Sequence, residues 1–190
     1  VEVVKALLAD KRVNPEKASK SGATALLIAA QNGHLGVVNA LLVDNRIDPN
    51  QATLDTGVTP LLMAAKNGHV KVVNALLADK RVNPEQASKS GVTALLIAAE
   101  NGHVKLVNAL LADKRVNPEK ANNDGATALL MAAKTGHLDV VNALLVDNRI
   151  DPNQATLDTG FTPLLIAVQN GHVKVVKEIG RASCRERVYI

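Results

Sequence analysis

Every histidine of the chain sits in one short pattern, [NT]-G-H-[LV], repeated at a nearly fixed step. His34, His69, His103, His137 and His172 are spaced 35, 34, 34 and 35 residues apart. Gly22, Gly57, Gly91, Gly125 and Gly160 keep the same spacing, and each opens G-x-T-[AP]-L-L-[IM]-A-[AV]. Full units continue [LV]-V-N-A-L-L-[AV]-D-[KN]-R-[VI]-[ND]-P. A period of this length marks a small unit that cannot bury its apolar face alone and must stack on a neighbour like itself.

Within a unit the residues predict two short helices and a loop. Thr24, Thr59, Thr93, Thr127 and Thr162 precede an apolar run and suit a helix N-cap, where the hydroxyl accepts from an orphan backbone N–H. Pro60 and Pro163 follow two of them at the first helical position, where a missing N–H costs nothing. Asn-Gly, as at Asn32–Gly33, suits a left-handed end to that helix. A second helix starts near the His, with Val37, Val38, Leu41 and Leu42 on one face. Pro49, Pro84, Pro118 and Pro152 stop it and force extended backbone. A helix of about eight residues is unstable alone in water, so neighbouring units must share stability. Leu26, Leu41, Leu61, Leu76, Leu95, Leu110, Leu129 and Leu144 are the expected core.

These residues resemble the ankyrin repeat. The matching signature is G-x-T-P-L-L-x-A-A-x-N-G-H-x-x-V-V-x-x-L-L, and the resemblance covers Val1 to Lys177. It implies an all-α fold, an α-solenoid of stacked helix-turn-helix repeats with hairpin-like connecting loops. A partial repeat at 1–21 is expected first, then repeats at 22–56, 57–90, 91–124 and 125–159, and a partial repeat at 160–177. The chain departs from the family in three ways. Leu27, Leu62, Leu96, Leu130 and Leu165 replace the family's His in T-P-L-H. The turn D-[KN]-R-[VI]-[ND]-P replaces G-A-D-x-N. The units exceed the usual 33 residues by one or two. Such insertions are tolerated because loop-closure entropy grows slowly with length.

The resemblance also implies a concave groove that binds a partner protein, which makes the chain an interaction scaffold and not an enzyme. Carried over position by position, the hairpin tips are residues 19–21, 54–56, 88–90, 122–124 and 157–159, centred on Lys20, Asp55, Lys89, Asn123 and Asp158 and including Asp124. The residues after the repeat glycines are Ala23, Val58, Val92, Ala126 and Phe161. The first-helix ends are Gln31, Lys66, Glu100, Lys134 and Gln169. Asn39, Asn74, Asn108 and Asn142 are expected on the opposite, convex face. Phe161 is the natural anchor of the groove, or else packs between hairpins for stability. Two other classes are a substrate-selecting region of a larger enzyme and a spacer in a structural protein, with the other domains outside this stretch.

The final stretch breaks the pattern. IGRASCRERVYI, Ile179 to Ile190, resembles the translation of a short-read sequencing adapter, and the alternative is a true basic tail. Residues 178–190 are therefore set aside as a non-native tail that should not pack as a further repeat. The array is expected to be a piece of a longer one, since Val1 to Leu8 reads as a second helix without its first.

Composition then narrows the chemistry. The net charge of +4 over the whole sequence falls to +3 without Arg181, Arg185, Arg187, Glu178 and Glu186. That weak charge is spread along the chain, so no nucleic-acid footprint is expected. Cys184, the only cysteine, lies in the tail. The array itself has no disulfide or thiol chemistry, which says little about compartment beyond permitting a reducing one, and an intracellular, cytoplasmic setting is the expectation. No apolar run approaches a membrane span. No cofactor and no metal are expected. Packed helices lie about 8–10 Å apart while Zn–N distances are about 2.1 Å, so histidines of successive units cannot share an ion. Each Asp of the D-[KN]-R turn lies two residues before an Arg, as Asp147 before Arg149. These pairs are either a charged ligand stripe or local pairing at a helix end, and local pairing is the expectation. The molecule is expected to be monomeric.

A larger repeat is superimposed. Gly22 to Asn74 aligns with Gly125 to Lys177 with nine differences in 53 positions. Duplication of a three-repeat block accounts for it, with misassembly of near-identical sequence as the rival. Four of the differences, Gln31/Lys134, Asn32/Thr135, Val58/Phe161 and Lys66/Gln169, fall at groove positions.

Overall fold

The structure is a computed structural model and describes residues 1–186, with side chains through residue 182. Among the described residues it is all-helical, and the chain forms two compact units, Val1–Ser90 and the part from Gly91 onward.

The first unit holds α1 (Glu2–Ala9), α2 (Ala25–Gln31), α3 (Leu35–Leu42), α4 (Pro60–Lys66) and α5 (Val70–Ala78). Helix α2 packs on α3 and α4 packs on α5, as the two arms of successive repeats. First helices also pack on first helices, α2 on α4, and second on second, α1 on α3 and α3 on α5. The second unit repeats this scheme. Its pairs are α6 (Ala94–Glu100) with α7 (Val104–Ala112), α8 (Ala128–Thr135) with α9 (Leu138–Leu145), and α10 (Pro163–Gln169) with α11 (Val173–Glu186). In it α6, α8 and α10 stack in order, as do α7, α9 and α11. The chain is thus an α-solenoid, with the repeat boundaries lying in its loops.

The residues build these elements as their chemistry dictates. Thr24, Thr59, Thr93, Thr127 and Thr162 cap the first helices, and each hydroxyl accepts from the backbone N–H three residues on. The seven-residue helices end where the chain turns left-handed, as at Gly33 with φ +70°. His34, His69, His103 and His137 stand at the N-cap of the second helices but lend no side-chain cap there. All eight expected core leucines are buried. Ala29, Ala30, Ala64, Ala65, Ala132 and Ala133 are buried as well. Small side chains at these sites let first helices approach closely, as dense interior packing requires.

Helix α11 corrects one detail of the tail. It does not end within a turn of Lys177 but runs on to Glu186. Ile179 is fully buried, because it falls at the position that Leu110 and Leu144 occupy in their own second helices. An apolar residue four places after Val175 completes the same buried face whatever its origin. The remainder of the tail, from residue 187, lies outside the described residues.

Candidate interaction surface

Each connecting loop folds back as a tight hairpin. The Thr156 N–H donates to the Phe161 carbonyl at 3.0 Å, and Thr53 makes the same bond to Val58. Side chains lock the bend from within. The Thr156 hydroxyl lies 2.8 Å from that of Thr159 and accepts from the Phe161 N–H at 3.0 Å. Thr53, Thr56 and Val58 repeat this arrangement, and Ser88 with Ser90 closes another tip. In the 91–124 repeat the amide oxygen of Asn122 does the work, accepting from the N–H groups of Asp124 and Ala126.

Neighbouring hairpins are tied tip to tip. The Leu54 N–H donates to the Ser21 carbonyl, Lys89 to Thr56, and Leu157 to Asp124. The approach is so close that a Cβ on Gly125 would lie 2.7 Å from the Leu157 nitrogen, in a backbone already at φ +82°. Glycine is the residue that fits there.

The first-helix ends are pinned by the next repeat. The His69 Nε2–H donates to the Gln31 carbonyl at 2.9 Å, and the Asn67 amide donates to the same oxygen at 2.8 Å. His172 and Asn170 do the same to Lys134. His137 holds the Glu100 carbonyl at 3.1 Å without an amide partner, since Thr135 there turns its hydroxyl back to Met131. A carbonyl only accepts, so these rings carry their proton on Nε2. The ring of each such histidine also packs against the glycine that ends the preceding first helix. His69, His137 and His172 are therefore stitches between repeats, a role that needs the neighbour's carbonyl and was not legible in their own segment.

A second set of stitches was also missed. The Asp147 carboxylate grips Arg149, and Arg149 in turn donates to the carbonyls of Val116 and Leu111 at 3.1 and 3.2 Å. Arg81 reaches Ile47 and Leu42, and Arg46 reaches Val13 and Leu8. Each guanidinium satisfies one carbonyl in the last turn of the preceding second helix, where the helix dipole also favours positive charge, and one in the turn that follows it. Hydrogen bonds from Arg149 hold the Asp147 carboxyl below the usual carboxylate range, despite some burial acting the other way. Local pairing is thus present, but its outcome is a link between repeats.

Against this frame the fifteen groove candidates divide. Lys20, Gln31, Asp55, Lys66 and Lys89 are exposed in the first unit, with Ala23 and Val58 half-buried. Glu100, Asn123, Lys134, Asp158 and Gln169 are exposed in the second unit, with Val92 and Phe161 half-buried. Ala126 is the exception: its methyl is buried, so it shapes the surface from below. Asn39, Asn74, Asn108 and Asn142 are exposed, on the second helices.

In the second unit the structure brings five of these candidates together. Ala126, Lys134, Asp158, Phe161 and Gln169 share an open depression of about 380 Å³. Leu130, Met131, Phe161 and Ile166 form its apolar part, and Asp124, Asp158, Lys134 and Gln169 its polar edge. Met131 and Ile166 are additions to the expected set, because they meet only once α8 and α10 pack side by side.

Among the described residues no group of three or more His, Cys, Asp and Glu is placed to hold a metal ion, and no helix is long and apolar enough to cross a membrane. Comparison with known proteins gives one family. A model described as ankyrin repeats, in three copies, matches the chain in four overlapping stretches: residues 1–86, 48–120, 80–156 and 114–184. A search of curated proteins finds no match.

Proposed function

The chain belongs to the ankyrin repeat family, and from that premise we propose that it binds a partner protein through its hairpin tips and first-helix ends. Ankyrin repeats are in general protein-protein interaction modules and typically non-catalytic. The observation that carries the choice of surface is the bracing of the hairpins. Their tips are held by internal hydroxyl and amide bonds and by tip-to-tip backbone bonds, while Lys20, Asp55, Asn123 and Asp158 project into solvent. A surface ordered in advance loses little entropy when it binds. The exposed Asn row on the second helices lacks such convergence, since its members lie one to a helix.

Position-specific photocrosslinking tests this. A photoreactive side chain at Lys89 or Lys134 should give partner adducts in a cell extract, and one at Asn74 or Asn142 should not. Lys89→Glu and Glu100→Lys should then weaken the captured partner, with Asn74→Asp and Asn108→Asp silent. Adducts confined to the Asn positions would move the interface to the second helices.

A further inference from the structure

The depression in the second unit has a chemistry of its own, and the duplicated blocks show where it diverged. Ten of the 53 aligned positions line it, and five of the nine exchanges fall among them: Ile28/Met131, Gln31/Lys134, Val58/Phe161, Met63/Ile166 and Lys66/Gln169. Asp124 adds a sixth change just outside the aligned blocks, where its counterpart is Ser21. The exchanges are not neutral in kind. They install the only aromatic ring of the array, move the lysine from one helix end to the preceding one, and set a second carboxylate beside Asp158.

We propose that this depression recognises a partner segment in which a large apolar side chain stands next to an arginine or lysine. The inference rests on the reading of the hairpin tips and first-helix ends as the interaction surface. Phe161, Met131 and Ile166 offer an apolar bed, and a volume of about 380 Å³ is far above the ~30 Å³ share of one water. Asp124 and Asp158 lie exposed at its edge, and among the described residues neither is in an ion pair. Two carboxylates at the mouth of an apolar bed attract a cation seated beside an apolar anchor. An Arg guanidinium can also lie against the Phe161 ring. Lys134, which also lines the depression, disfavours a second basic residue in the segment. The corresponding surface of the first unit carries Ser21, Val58 and Gln31 and selects differently.

Selection of a random twelve-residue peptide library displayed on phage, with the whole chain as bait, tests the proposal. Enriched peptides should pair Phe, Leu, Met or Trp with Arg or Lys within two residues. Made synthetically and followed by fluorescence anisotropy, they should lose about tenfold in affinity to Asp124→Asn/Asp158→Asn, roughly what 1.4 kcal/mol supplies. Phe161→Val should weaken them several-fold, and added salt should weaken wild-type binding only while both carboxylates are present. Thermal melts of each variant, unchanged for the exposed carboxylates and little changed for half-buried Phe161, exclude misfolding. Peptides that bind but ignore the Asp124, Asp158 and Phe161 changes while responding to Lys89→Glu or Glu100→Lys would sink this inference and leave the interaction surface standing. Peptides that respond only to Asn108→Asp or Asn142→Asp would sink both. A library that yields no enriched sequence would also overturn the proposal.

Discussion

Helices α8 and α10 are near copies, ALLMAAKT against PLLIAVQ, each capped by a threonine and each packed on its own second helix. Their surroundings part them. Helix α8 lies between α6 and α10, so Leu130 is 4% exposed and Ala133 fully buried. Helix α10 has α8 on one side only, and its Leu165 and Val168 are 52% and 58% exposed. The same side chain at the same helical position is core in one repeat and surface in the next. The period dictates which residues face a neighbour, and the neighbour determines whether that facing side chain contributes.

The largest way to test the comparison is truncation. Leu130→Ala should cost about 2–5 kcal/mol, because its contacts are lost and a cavity remains. Leu165→Ala should cost under about 1 kcal/mol, since half of that side chain is already in water. Urea unfolding followed by circular dichroism checks both. Equal costs would mean that α10 is covered in solution by a further packing element.

Overpacking gives the next effect and has the opposite geometry. Ala133→Val forces two methyls into a closed helix-helix contact and should cost about 1–3 kcal/mol. Val168→Ala removes methyls from solvent-facing space and should change stability by less than about 0.5 kcal/mol. A silent Ala133→Val would show that first helices in the second unit have slack between them.

The smallest effect belongs to the arginine stitches, again an inner repeat against an edge. Arg149→Ala should cost about 1 kcal/mol, since two partly solvated carbonyl bonds and an ion pair are lost. Arg12 bonds Asp10 alone among the described residues, and Arg12→Ala should leave the unfolding midpoint unmoved. The difference depends on pH in a definite direction. Asp147 has a folded-state pKa below its unfolded value, so the folded chain takes up that proton less readily. Its contribution is full above about pH 4, the unfolded carboxylate value, and fades as pH falls through the lower folded value. The gap between wild type and Arg149→Ala should therefore narrow below about pH 4. A gap that widened in acid would show that the arginine acts without Asp147.

Much of this architecture was legible in advance because the signals are local. A threonine before an apolar run, a proline at the first helical position and a glycine at a left-handed end each act within one turn of chain. Leu95 and Leu110 could be assigned to the core from spacing alone, and both are buried. The candidate surface was legible only in part. Asp124, Lys134, Asp158 and Phe161 were named from their place in the repeat, but Met131 and Ile166 were not. The latter join the depression because α8 packs on α10, and the pattern of a single unit holds no record of that contact. Ala126 was expected at the surface and is buried.

The sequence by itself determined the unit: two short helices, their caps, the glycines that turn the chain and the face of each helix that is apolar. Local sterics and periodicity suffice for that, since each acts over fewer than a dozen residues. Only the tertiary structure decided what the polar residues do. Arg149 and His172 find acceptors 33 to 38 residues away in the preceding repeat, on carbonyls that every residue carries alike. Backbone oxygens leave no mark in the sequence, so the stitches between repeats become visible only once the helices are stacked.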